Sequence, residues 1–139
     1  MEGTNLGYMG RLCYAQDMSA VTGACLMISR AKYDEVGGLD PSFAISLNDV
    51  DLCLKLRKKG YLNVFTPFAE AYHHESASRG LDDSGEKAER YNRESEQFRN
   101  KWKDILEKGD PYYNKNFTLD RSDFSVNVDG LGDTVLGDH

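Results

Sequence analysis

The spacing of apolar positions changes several times along the chain, and each change predicts an element. Residues 20–29 form a short apolar run of strand length, interrupted by Gly23, and predict a buried strand. Ser29 is placed to cap a short helix through Val36, and Gly37 and Gly38 supply a left-handed stop. Leu39, Asp40 and Pro41 predict a turn. Over 48–59 the period becomes helical: Val50, Cys53, Leu54 and Arg57 fall at i, i+3, i+4 and i+7, with Leu52 and Leu56 widening the buried face. Ser46 or Asn48 is the expected N-cap, and Gly60 ends the helix. Residues 62–72 predict a strand in which Pro67 marks an edge or a break.

The longest predicted element is a helix over about 84–108. Ala88, Tyr91, Ser95, Phe98, Trp102, Ile105 and Leu106 step by three or four along one inward stripe. Glu86, Arg90, Arg93, Glu94, Glu96 and Lys103 lie on the other face, and Gly109 to Pro111 stops the helix. Residues 1–19, rich in Gly and Tyr, predict irregular structure, and 78–84 predict a loop. Residues 1–128 are expected to form one unit, with 129–139 a weakly ordered polar tail.

At 139 residues the chain has one domain's worth of core, and 40% hydrophobic with 29% charged residues is an ordinary soluble composition. A formal net charge of −6 argues against nucleic acid as a partner. The cluster Lys55, Arg57, Lys58 and Lys59 reads as a solvated last turn that favours the helix dipole. The three cysteines lack metal-ligand spacing, and Cys25 and Cys53 sit among apolar neighbours as expected buried thiols in a reducing compartment. No stretch approaches the roughly 18 apolar residues of a membrane span, and the polar start lacks a signal-peptide core, so a soluble chain is expected.

Two clusters carry candidate chemistry. Asp49 and Asp51 open the second helix, where acids favour the dipole in any protein. Alternatively, Asp49 points outward as a general base, with Asp51 supporting the geometry. His73 and His74 end the strand-like stretch, so their side chains point to opposite faces; one could bind a divalent metal, or both could be structural. The following Glu75 to Gly80, with Ser78 and Arg79, suits phosphate contact or is an ordinary polar loop. Gly23 either permits close backbone approach to a ligand or marks a bulge. Trp102 reads as core, and Tyr112 and Tyr113 either stack on a sugar or fasten the returning chain.

Taken in order, Thr22 to Ile28, Val36 to Asp40, Asn48 to Arg57, Gly60 and Tyr61, His73 to Gly80 and Asp110 to Asn114 resemble the second half of a family 2 inverting glycosyltransferase of the GT-A fold. The resemblance covers about residues 8–125. It implies an α/β fold: a partial GT-A-like (nucleotide-diphospho-sugar transferase) domain with a few strands packed by helices, lacking the N-terminal nucleotide-binding half. Asp49 matches the family's general-base aspartate, with Asn48 standing where an acid often precedes it. His73 matches a histidine that completes Mg²⁺ or Mn²⁺ coordination in some members. Gly23, Asp51, His74, Ser78 and Arg79 are weaker matches to donor-diphosphate or substrate contacts.

The resemblance further implies a parent enzyme that transfers a hexosyl-type sugar from a nucleotide-sugar donor to a carbohydrate or lipid-linked acceptor, with inversion. Bacterial surface-polysaccharide synthesis, in the cytoplasm and peripheral to the inner membrane, is the implied setting. Residues before Ala20 leave no room for the nucleotide-binding half, so the chain alone is expected to be inactive. Two other expectations stand beside this one: a non-catalytic binding module, or a module that self-associates, as a homodimer, through exposed edges.

Overall fold

The computed structural model describes residues 6–44, 46–72, 85–121 and 123–127. Within them the element order is β1 (Gln16–Met18), α1 (Arg30–Glu35), α2 (Asn48–Lys58), β2 (Asn63–Phe65), α3 (Gly85–Lys101) and α4 (Lys103–Leu106), with 3-10 turns at Tyr8–Cys13 and Gly23–Cys25. The architecture among these residues is mixed helix with a small sheet: β1 and β2 pair antiparallel, Gln16 opposite Phe65 and Met18 opposite Asn63. This is consistent with a partial α/β domain.

The central element is α2. Asp51, Leu52, Cys53, Leu54 and Leu56 are all buried, so the helix is covered on most of its circumference. On one side Leu54 packs with Phe43, Phe98 and Trp102, and Leu47, Val50 and Ile105 close round this core. Phe43 and Phe98 meet edge to face at 5.9 Å, a favoured aromatic geometry. On the other side, buried Asn63 of β2 donates through Nδ2 to Cys53 O at 3.1 Å and to Ser19 O at 3.0 Å. A second aromatic group joins the first and last of the described segments: Tyr8 stacks on Phe124, and Tyr113 and Phe117 pack round the same ring.

Several expected features hold. Ser29 caps α1 through its side chain, and Gly37 and Gly38 take positive φ at its end. α2 spans the predicted range. Tyr113 fastens the chain, its hydroxyl donating to Thr118 O at 2.9 Å, and Tyr112 lies under the Arg57 guanidinium.

Other expectations are corrected. Residues 20–29 do not enter a ladder; Gly23–Cys25 is a 3-10 turn, because the stretch places its polar contacts on α2 instead of on a neighbouring strand. The second strand is only Asn63–Phe65, since its partner is equally short and Pro67, just beyond, cannot donate to a ladder. The irregular start contains β1.

The long helix breaks at Trp102, whose φ of −111° and ψ of 17° leave the helical region between α3 and α4. Its inward stripe is Glu94, Phe98 and Trp102, while Tyr91 is half exposed. Glu94 is buried because its carboxylate accepts from Ser46 N at 3.2 Å and from Arg90 at 3.0 Å.

Neither Ser46 nor Asn48 caps α2; the cap position is Leu47, with left-handed φ of 66°. Cys25 is exposed because the turn points it outward, whereas Cys53 is buried as expected. Lys55 and Arg57 are not merely solvated. Lys55 donates to Gly38 O at 3.0 Å and Arg57 to Ser19 Oγ at 2.9 Å.

Candidate functional site

Asp49 sits in the first turn of α2, half-buried, directly beside the Gly23 backbone. The Gly23 N–H donates to Asp49 Oδ2 at 2.7 Å, and Oδ1 accepts from Val50 N at 2.8 Å. Thr22 shapes the approach: its hydroxyl accepts from Ala24 N at 3.2 Å and so tightens the turn that aims Gly23 at the carboxylate. A Cβ at Gly23 would lie 3.2 Å from Asp49 Cβ. The backbone at Gly23 thus comes close to the Asp49 side chain.

Each Asp49 oxygen accepts one backbone N–H and retains lone-pair capacity for a further partner. Such a carboxylate is oriented and still reachable. The left-handed Leu47 immediately before the helix is a costly conformation for a branched residue, about 1–2 kcal/mol. Surrounding packing sustains it: Leu47 itself lies against the Phe43–Trp102 core, and Glu94 holds the preceding Ser46 N–H.

Asp51 has a different role from Asp49. It is 0% exposed and faces α3. Its Oδ1 accepts from Trp102 Nε1 at 2.9 Å and lies 2.7 Å from Lys101 Nζ. Oδ2 lies 2.9 Å from Lys55 Nζ, an ionic contact outside hydrogen-bond geometry, which leaves this buried oxygen without a well-directed donor. As a fully covered carboxylate, Asp51 locks α2 to α3.

Lys101 also binds Asp40 Oδ2 at 2.7 Å. Burial alone would push the Lys101 ammonium down, but Asp40 and Asp51 together hold its pKa above the ordinary value. Lys101 and the Ser42 hydroxyl and N–H hold the Asp40 carboxyl well below the usual carboxylate range.

One turn below Asp49, Cys53 Sγ lies 3.5 Å from Val21 N and 3.8 Å from Val21 O. Burial raises the thiol pKa, the Val21 N–H opposes this, and the Asp49 charge adds to the rise. The thiol is held neutral as a packing group. Two turns below Asp49, Arg57 meets Ser19 Oγ, which donates onward to Asp110 Oδ1 at 2.5 Å.

His73, His74, Ser78 and Arg79 lie outside the described residues, as do the predicted loop and the 129–139 tail. Among the described residues no group of three His, Cys, Asp or Glu side chains converges as a metal site. No helix among them is long and apolar enough to cross a membrane. Asn63 and Ser19 escaped sequence reasoning as parts of this region, because single polar residues at strand ends and turns carry no periodic signal.

Comparison with known proteins bears on this arrangement. The chain is 50% identical over 123 residues to uncharacterized protein y4gI of Sinorhizobium fredii, which covers 88% of this chain and 13% of that protein. It is 40% identical over 62 residues to the N-acetylglucosaminyl-diphospho-decaprenol L-rhamnosyltransferase of Mycobacterium tuberculosis, covering 45% of this chain and 20% of the relative. It is 35% identical over 114 residues to the O-antigen biosynthesis protein RfbC of Myxococcus xanthus, covering 82% of this chain and 8% of the relative. These names support a glycosyltransferase family. The chain spans a fifth or less of the length of each of these relatives. No family model and no solved structure matches it.

Proposed function

We propose that this chain is the acceptor-side part of an inverting, family 2-type glycosyltransferase of the GT-A fold, acting in bacterial surface-polysaccharide synthesis. The observation that carries the reading is the Asp49 carboxylate, oriented by the Gly23 N–H at 2.7 Å yet still half-exposed. The relative named as a rhamnosyltransferase supports the reaction class, and the one named for O-antigen biosynthesis supports the setting.

In this reading Asp49 takes the proton of an acceptor hydroxyl as that oxygen bonds to the anomeric carbon of a nucleotide-sugar. The bond from that carbon to the diphosphate breaks on the opposite face, its electron pair leaves with the nucleoside diphosphate, and the configuration inverts. The acceptor is a carbohydrate or a lipid-linked carbohydrate. A divalent cation held through His73 and carboxylates elsewhere in the parent protein would neutralise the charge of the leaving diphosphate.

A second reading is favoured by exposed apolar side chains. Met27 is 99% exposed, Tyr72 95% and Phe68 86%, so these await either the rest of a longer protein or another copy of the chain. One experiment addresses both readings. Calorimetric titration with nucleotide-activated rhamnose, glucose and N-acetylglucosamine, and light scattering, are run on the chain alone and on the complete gene product carrying it. Donor binding confined to the complete product supports the glycosyltransferase reading. A stable dimer of the complete product that binds no donor supports the self-associating module.

A further inference from the structure

Successive turns of α2 meet every second residue of the stretch 19–23. Asp49 contacts Gly23, Cys53 contacts Val21, and Arg57 contacts Ser19. The order reverses, so the stretch runs antiparallel to the helix. Four residues of helix rise about 6.0 Å and two residues of extended chain about 6.6 Å, so the two repeats stay in step over this length. Thr22 has the extended backbone that this spacing needs, with φ of −66° and ψ of 140°.

The contacts differ in strength. The middle one is to sulfur and long, so it sets the phase of the stretch weakly. The end at Ser19 is held from several directions: Arg57 donates to its hydroxyl, Asp110 accepts from that hydroxyl, and buried Asn63 ties its carbonyl to that of Cys53. The Arg57 guanidinium is itself covered by the Tyr112 ring at 5.6 Å. The Asp110–Tyr112 loop thus closes on the end of the stretch farthest from Asp49.

We infer that Arg57 and Asn63 are positioning residues for the Asp49 carboxylate, clasping Ser19 so that the stretch 19–23 delivers the Gly23 N–H to Oδ2. The inference rests on the reading of Asp49 as the base. Neither residue touches the carboxylate. Their effect passes along a short stretch that enters no ladder beyond Met18, so a slip at Ser19 is transmitted to Gly23.

Amide hydrogen exchange on the 139-residue chain tests the clasp without any assay of transfer. In Arg57→Ala, Gly23 N–H exchange should quicken roughly three- to tenfold, the range for loss of a typical hydrogen bond's support, while the Trp102 amide keeps its protection. Arg57→Lys, which restores a donor to Ser19, should recover most of the difference. Asn63→Ala should act in the same direction as Arg57→Ala.

In the complete gene product Arg57→Ala should lower kcat and leave donor KM unchanged. An unchanged Gly23 amide in Arg57→Ala, or one that quickens only in step with Trp102, overturns the clasp. Should Asn63→Ala fail to fold, Arg57→Ala and Arg57→Lys decide the matter. Full transfer by Asp49→Asn would overturn the base reading, and the exchange result would still report on the clasp separately.

Discussion

A methyl group at Gly23 would lie 3.2 Å from Asp49 Cβ and 3.4 Å from Oδ2, tighter than most side chains accept. The backbone of Gly23 does not need positive φ, so the constraint is one of space. Gly23→Ala should therefore fold but displace the carboxylate, with kcat of the complete gene product falling roughly ten- to hundredfold, the cost of misplacing a reacting group by about 1 Å. Steady-state kinetics beside a thermal melt checks this; an Ala variant with full activity would mean that the N–H contact is incidental. At this scale Asp49 was legible because an acid-rich helix start stands out. Cys25 and Glu94 were not: burial of one residue depends on which way a turn points it and on which backbone N–H waits for its carboxylate. Glu94 reads as a surface charge until the Ser46 N–H is placed beside it.

Elements depend on how those residues pair. α2 was legible in extent, since its 3.6-residue period and Gly60 are local signals. The break at Trp102 was not: it falls where the indole N–H makes a long-range contact with buried Asp51, which the local period does not reveal. Trp102→Phe keeps the ring but removes that donor, and should cost about 1–3 kcal/mol in urea unfolding as the carboxylate loses a buried partner. A loss within error would place the role of Trp102 in packing alone.

The Asp40–Lys101 contact joins the same interface and carries a pH signature. The folded Asp40 carboxyl is held below its usual value, so its contribution is present above the unfolded value near pH ~4 and is lost as pH falls through the folded one. Lys101 is held above its ordinary value, so its contribution is present below about pH 10 and is lost as pH rises through the folded one. The Tm gap between the chain and Asp40→Asn should be constant from about pH 5 to 8 and narrow below about pH 4. A gap that fails to narrow below about pH 4 would show that the Asp40 charge does not stabilise its contact with α3.

Across the whole molecule, the described residues form a core round α2, yet they leave Met27, Phe68 and Tyr72 open to solvent. The strand expected over 20–29 illustrates why the sequence overstates regular structure here. An apolar run can be extended, but a strand needs a partner, and within the described residues Val21 and Gly23 of this stretch meet side chains of α2 in place of a neighbouring strand. The ordered succession of motifs was legible as a likeness to glycosyltransferases, and relatives named as a rhamnosyltransferase and as an O-antigen biosynthesis protein match parts of the chain.

The most direct test of the account is transfer by the complete gene product with Asp49→Asn. Nucleoside diphosphate release and labelled-sugar incorporation are followed with nucleotide-activated rhamnose, glucose and N-acetylglucosamine and a membrane-lipid extract as acceptor. The unaltered protein should use at least one of these donors. Asn is a poor base, and its single amide oxygen can accept from Gly23 N–H or from Val50 N–H but not from both; it should lower that transfer by at least roughly a hundredfold, with the protein still folded and its melting lowered only a little. Transfer undiminished in Asp49→Asn would contradict the base role of Asp49.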